Sequence, residues 1–406
     1  MTEPTSPGRR DLGAYALVVA AWLATRAFAV VSVDMTPWNL NDLRVYASWL
    51  PWFHIGHFPS SDPMWQYPPG AAGIFVAADS LPLSFRWGFT FVMLGLDAAL
   101  MAALLVAHAR RPDASWRGPL LWSAAGLVVG SILLARFDVA PTLFAVLAVL
   151  FAMAPVRSSR SLLSGAAAAI GMLVKVWPAL MLLTLPRRAL TRGVAAWAAV
   201  TLVVLGAASL WSTGSLSFLH NQEARGLQLE SVGALPYVLT RFLEGEHLPT
   251  GLRYGSIQIL LPGTETVGLA ITGLGILVFA IVAWLRLAGR LEDVPAGDIG
   301  LALVLVSVAT SRVYSPQFNT WLVGLAAAAL LARSSRMLGP ALLVVVVSLI
   351  TQVVYPWRMS QLIEGDGLST WLQTARIAGL VAATVWALVA IRPRRSDPDV
   401  AATLSR

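Results

Sequence analysis

Apolar runs long enough to cross a bilayer recur from Leu12 to Ile391, interrupted by short clusters of arginine. A spanning helix needs about 20 apolar residues, and few soluble folds repeat such runs along the whole chain. With 57% hydrophobic and 12% charged residues over 406 positions, the chain reads as all-α and polytopic, one integral membrane domain over residues 1–406. The net charge of +8 would suit a nucleic-acid binder, but the arginines fall between apolar runs, where orientation signals sit, so no nucleic-acid partner is expected. Absence of cysteine removes disulfides, thiolate chemistry and Cys-based metal sites. The first run, about Leu12 to Val33, follows Arg9 and Arg10 without a small-residue cleavage site and reads as a retained helix. Arginine in place of lysine, with abundant Ala, Gly and Val, matches a GC-rich bacterial genome of the actinobacterial kind.

The clusters are Arg9–Arg10, Arg110–Arg117, Arg157–Arg160, Arg187–Arg192, Arg286–Arg290, Arg333–Arg336 and Arg392–Arg395. Positive loops stay in the cytoplasm, so both termini are expected inside a bacterial plasma membrane, with about 12 crossings between them. The loops holding Asp42, Arg136–Asp138, Lys175–Pro178, His220 to Tyr254, Tyr314–Gln317 and Tyr355–Glu364 then face outward. Two places strain this count. Gly70 to Pro82 is short and carries Asp79, so it is a half-span or pairs with Phe85–Ala107 as two crossings; parity favours one net crossing. Pro178 to Pro186 spans only if tilted or joined to Lys175 in a broken helix. The tetrapeptide Arg-Ser-Ser-Arg occurs at 157 and again at 333, both times as cytoplasmic punctuation.

Two outer loops, 34–67 and 213–262, are large enough to cap a site. The first holds Trp38, Trp49, Trp52 and Trp65, an aromatic-belt composition, and Pro51 divides Asp42–Phe58 into two short juxtamembrane helices. Asp42 and Tyr46 share a helical face if a helix begins there, although Asn41 or Asp42 could equally be its N-cap. Arg136-Phe-Asp138 reads as an ion pair at an outer turn. Lys175 is the only lysine beside 28 arginines. An ammonium at membrane depth faces a wet cavity or holds an anion, unless it snorkels from the helix end at Pro178. Lys175, Arg225 and Arg312 together supply enough positive charge on the outer side to hold a phosphate whose lipid tail stays in the bilayer. No internal repeat, Gly-rich phosphate loop, HExxH or other metal spacing is present, so neither a metal nor another cofactor is assigned, though a divalent ion stays open.

The ordered set Asp42-Leu-Arg44-Val-Tyr46, Tyr67-Pro-Pro69, Arg136-Phe-Asp138-x-x-Pro141, Lys175-x-x-Pro178, Arg225-Gly-Leu-Gln228-Leu-Glu230-Ser231 and Ser315-Pro-Gln317 resembles glycosyltransferase family 87. These are GT-C membrane enzymes that use polyprenyl-phosphate sugars. The resemblance implies extracytoplasmic transfer of a hexose, mannose being the family's best-known sugar, from a polyprenyl monophosphate to a lipid or cell-envelope glycan acceptor. It puts the catalytic base on Asp42 and the donor phosphate on Lys175, Arg225 and Arg312. Candidate sugar or acceptor contacts are Arg44, Tyr46, Tyr67, Arg136, Asp138, His220, Glu223, Gln228, Glu230, Tyr314 and Gln317. The family's phosphatidylinositol-mannoside mannosyltransferases carry histidines just after the Ser-Pro, where this chain reads Gln317-Phe-Asn-Thr-Trp321. The acceptor is therefore open, as are a polymerase or ligase using a lipid diphosphate and a lipid transporter, although no inverted repeat is visible.

Overall fold

The computed structural model describes residues 9–155, 157–219 and 226–393. Helix α1 (Arg9–Asp34) leads into the short α2 (Pro37–Ser48) and α3 (Leu50–His54), then α4 (Gly70–Asp79) and α5 (Phe85–Arg110). Next come α6 (Arg117–Val128), α7 (Ile132–Ala135), α8 (Val139–Met153) and α9 (Ser158–Val174). A 3-10 segment (Trp177–Thr184) precedes α10 (Arg187–Trp211). Then follow α11 (Leu235–Glu244), the hairpin of β1 (Thr250–Arg253) and β2 (Ser256–Ile259), α12 (Thr264–Leu287), α13 (Ala296–Ala309) and α14 (Phe318–Leu330). Helices α15 (Leu338–Gln352), α16 (Met359–Ile363) and α17 (Gly367–Ala390) complete the order. The protein is mostly helical, and among the described residues α1, α5, α10, α12, α15 continued to Trp357, and α17 supply six helices long and apolar enough to cross a membrane.

The centre is built from shorter helices. Helices α13 and α14 are apolar all round and buried on nearly every residue, as helices enclosed by others must be. The arginine clusters among the described residues gather at one end. There Tyr15 meets His108 and Trp116, Ser115 donates its N–H to the Leu331 carbonyl, and Arg336 donates to the Ala390 carbonyl. At the other end the two large loops meet: Phe58 and Thr213 are joined by a backbone hydrogen bond of 2.9 Å, and His54 pairs with Asp79. The hairpin turns through Tyr254 and Gly255, both at positive φ, the geometry of a two-residue turn that matches strand twist.

Both doubtful segments turn out not to be full spans. Helix α4 has ten residues, about 15 Å at 1.5 Å each. It starts at Gly70, where a Cβ would lie 2.6 Å from the Leu173 carbonyl oxygen, and ends packed on the first turn of α5. Only α5 then runs on to the arginine end, which gives one net passage. The segment after Lys175 is eight residues of 3-10 helix, whose rise of about 2 Å per residue covers roughly 16 Å.

Two sequence expectations are corrected here. Asp42 is not an N-cap: α2 starts five residues earlier, after Thr36, because Pro37 fits the first helical turn. Trp49 and Trp65 are not belt residues; both are buried, stacked edge-on with each other and packed with Phe53, Tyr67 and Phe75. Two charges in long apolar helices went unread altogether. Arg26 of α1 and Asp97 of α5 form a bidentate pair at 2.8 Å, and Arg26 also donates to the carbonyls of Trp122 and Ser123 in α6. The Trp22 indole N–H completes the carboxylate's shell at 2.7 Å. A fully paired buried charge of this kind fixes how three helices pack.

Candidate functional site

Two helix hairpins turn at the same depth, and their apices touch. The first rises through α6 and α7, turns at Arg136-Phe137-Asp138 and descends as α8; the second rises as α9, turns at Lys175 and descends as the 3-10 segment. Gly130, at φ +70°, makes the bend between α6 and α7, and Gln352 fills the space beside it while donating to the Val128 carbonyl at 2.8 Å. Lys175 caps the C-terminus of α9 with extended backbone, which turns its side chain off the helix. Its ammonium donates to Asp138 Oδ1 at 2.6 Å. The Trp321 indole N–H donates to the same oxygen at 2.6 Å.

Arg136 and Asp138 therefore do not pair with each other, contrary to the expected ion pair at that turn. Arg136 reaches the other way, to the Asp42 carboxylate, and lies 3.4 Å from the Tyr355 hydroxyl. Successive residues around a tight turn point in different directions, so the two charges are sent to different partners. Phe137 between them faces Lys175, with 4.6 Å from Nζ to the ring centre. Trp321, Tyr67 and Phe318 close the box at 5.3, 5.6 and 6.0 Å. An ammonium surrounded by ring faces is stabilised without a full shell of carboxylates.

Asp42 is half-buried, and burial pushes its carboxyl above the ordinary range, while Arg136 pulls it part of the way back. Tyr46, one turn on, is buried against Phe75 and Phe137. Arg44 is exposed and bonds to Asn41, away from this cluster.

Lys175 and Tyr67 also line a cavity of about 950 Å³ between the 3-10 segment, α12, the end of α13 and the start of α14. Its upper wall carries Lys175, Arg312, Gln317, Gln66 and Glu265. Its lower wall is apolar, with Leu269, Ile276 and Phe279 of α12 facing Val176 and Leu180. The cavity is thus graded from charged to greasy along one axis. Helix α12, which lines it, keeps most of its surface uncovered by protein.

The remaining expected residues fall elsewhere. Gln228 and Glu230 sit behind the cavity wall: the Gln228 N–H bonds to the Arg312 carbonyl at 3.0 Å, and Glu230 accepts from Arg376 of α17 at 2.8 Å. Burial raises the Glu230 carboxyl, with Arg376 opposing. Arg376 also stacks on Tyr314, 4.1 Å from the ring centre, and Tyr314 donates its hydroxyl to Asn319. These contacts hold the loop 310–317 in place but do not line the cavity. His220, Glu223 and Arg225 lie outside the described residues. Trp321, Glu265, Tyr355 and Arg376 were missed as members of this region. The signals for Trp321 and Arg376 were an indole four residues after Gln317 and a lone arginine inside an apolar run. The chain matches no protein-family model, no curated protein and no solved structure.

Proposed function

We propose that the protein is a membrane glycosyltransferase that moves a hexose, mannose by preference, from a polyprenyl monophosphate to a lipid or envelope glycan acceptor on the extracytoplasmic face of a bacterial plasma membrane. The observation that carries this reading is the graded cavity, with cationic Lys175 and Arg312 above and apolar α12 below. An amphiphile with a phosphate head and an isoprenoid tail has the same grading. The helices running between the two ends, α1, α5, α6 with α7, α8, α9, α10, α12, α13, α14, α15 and α17, with the short 3-10 return between α9 and α10, support a GT-C-like arrangement.

In this reading Asp42 takes the acceptor hydroxyl proton while Lys175 and Arg312 stabilise the phosphate that leaves the anomeric carbon. A single base opposite the leaving group gives inversion. Arg136 orients the Asp42 carboxylate, and Asp138 with Trp321 orients the Lys175 ammonium. The Ser315-Pro-Gln317 loop supplies Gln317 at the cavity wall for a sugar hydroxyl.

The test is transfer by purified protein in nanodiscs, with polyprenyl-phosphate mannose, polyprenyl-phosphate glucose and a polyprenyl-diphosphate sugar as parallel donors. Released polyprenyl monophosphate from one of the first two is expected. Turnover only with the diphosphate donor would make the protein a polymerase or ligase, and well-folded protein inactive with all three, across lipid and glycan acceptors, would refute the assignment.

A further inference from the structure

A second cavity, of about 970 Å³, opens at the arginine end, between the ends of α5 and α8 and the starts of α9, α10 and α13. It lies at the opposite ends of α12 and α13 from the first. Its walls carry six arginines against three carboxylates. Two of the six are committed: Arg111 holds Asp113 through two hydrogen bonds and the Met153 carbonyl, and Arg286 holds Glu292 and the carbonyls of Leu183 and Leu291. The guanidinium groups of Arg110, Arg157, Arg160 and Arg188 make no hydrogen bond or ion pair among the described residues, and only Asp293 of the wall carboxylates is left to offset them.

The repeated Arg-Ser-Ser-Arg makes the difference plain. In the copy at 333, Arg333 donates to the Ala114 carbonyl and Arg336 to the Ala390 carbonyl, so both arginines tie loops together. In the copy at 157, Arg157 and Arg160 flank the first turn of α9 and face the cavity instead. Helices α9, α10 and α13 all begin at these walls, and their positive ends add to the arginines. The inner wall is apolar, with Val106 of α5 opposite Leu150 and Phe151 of α8.

We propose that this cavity is a binding site for a phosphate anion, distinct from the Lys175 cavity, with the apolar slot between α5 and α8 suited to the acyl chain of an anionic phospholipid. Arg157 and Arg160 grip the phosphate from α9, and Arg188 closes on it from α10.

The proposal is tested by lipid titration of purified protein under native mass spectrometry, and by calorimetry with pyrophosphate in place of lipid. Wild type should bind phosphatidylglycerol about tenfold or more tighter than phosphatidylcholine, because the choline ammonium offsets its own phosphate and the glycerol lipid leaves its full negative charge to the arginines. Arg157→Gln/Arg160→Gln should remove that preference, and Arg188→Gln, an exposed residue on a different helix, should weaken it. Arg192→Gln, in the same basic cluster but off the cavity wall, should leave it unchanged. Loss of pyrophosphate binding in the same variants without any lipid preference in wild type would identify a soluble phosphate as the source. Equal binding by wild type and the Arg157→Gln/Arg160→Gln variant, or an equal loss in Arg192→Gln, would overturn the site and leave the arginines as general surface charge.

Discussion

At the residue scale, Lys175 and Asp42 each have a dedicated partner from the same turn, and that arrangement sets what their variants should do. Lys175→Met keeps the stem inside its aromatic box and removes the charge. A charge-assisted contact to phosphate contributes roughly 1.5–3 kcal/mol, so the Michaelis constant for the lipid donor should rise more than tenfold. An unchanged constant would leave Lys175 a structural partner of Asp138. Asp42→Asn should lower turnover about 10²–10⁴-fold with donor affinity nearly intact, because the amide keeps the shape and cannot take a proton. The pH profile gives a second readout. Since burial raises the Asp42 carboxyl, transfer should climb with pH through a limb above the ordinary carboxylate range near 3.9, and that limb should vanish in Asp42→Asn. Near-normal transfer by the amide variant would remove Asp42 from the chemistry. Both residues were legible in the sequence because each is a charge beside a turn. Arg26, Asp97 and Arg376 were not, since each sits inside an apolar run and its partner lies 71 or 146 residues away.

Elements that close or cross-link others carry the next predictions. Asp366 caps α17, accepting from the Ser369 N–H at 2.9 Å and from Arg358 at 2.6 Å, and these bonds, the Ser369 amide first, hold its carboxyl down at about 2. A depressed carboxyl contributes stability that is present above its unfolded value and fades as pH falls toward about 2. Asp366→Ala should therefore lower the protection of amides in the first turn of α17 against exchange at neutral pH and remove the loss of protection between pH 4 and 2, protection being taken relative to the intrinsic rate at each pH, whereas equal protection in both proteins would show the cap to be idle. For the clamp across α1, α5 and α6, Arg26→Met alone should destabilise by about 3–5 kcal/mol by stranding Asp97. Arg26→Met with Asp97→Leu should recover most of that in thermal unfolding; a double variant as unstable as the single would mean that hydrogen bonds to α6 matter more than the stranded charge. The long helices were readable from hydropathy. The central ones were not separable from spans, because a helix of 13 or 14 residues buried in protein is as apolar as one in lipid.

For the molecule as a whole, orientation is the testable quantity. A reporter active only in the cytoplasm should work when fused after Arg192 and stay silent when fused after Glu223. Activity at both positions would separate the first large loop from the second across the membrane, which the contact between Phe58 and Thr213 forbids. The arginine clusters let this polarity be read from sequence, and the structure gathers Arg110, Arg157, Arg188 and Arg286 around one cavity accordingly. The convergence of Asp42, Arg136, Asp138 and Lys175 could not be read in the same way, because it depends on two hairpins of unequal helices turning at one depth.

The 3-10 segment also governs how a membrane voltage would be shared out. Leu180 lines one cavity and Thr184 the other, so about four residues at 2 Å each, roughly 8 Å, part them along this stretch. Potential falls across the low-dielectric layer between aqueous compartments, and with water in both cavities that layer is much thinner than the ~30 Å of intact hydrocarbon. At about 2.3 kcal/mol per elementary charge per 100 mV for a full crossing, a charge shifting a few ångströms between Leu180 and Thr184 would do a sizeable share of that electrical work, whereas an anion beside Lys175 stays at the potential of the outer compartment. Turnover in proteoliposomes should then be indifferent to an imposed potassium diffusion potential, and turnover that follows the potential would move the leaving anion from the Lys175 wall into the thin layer.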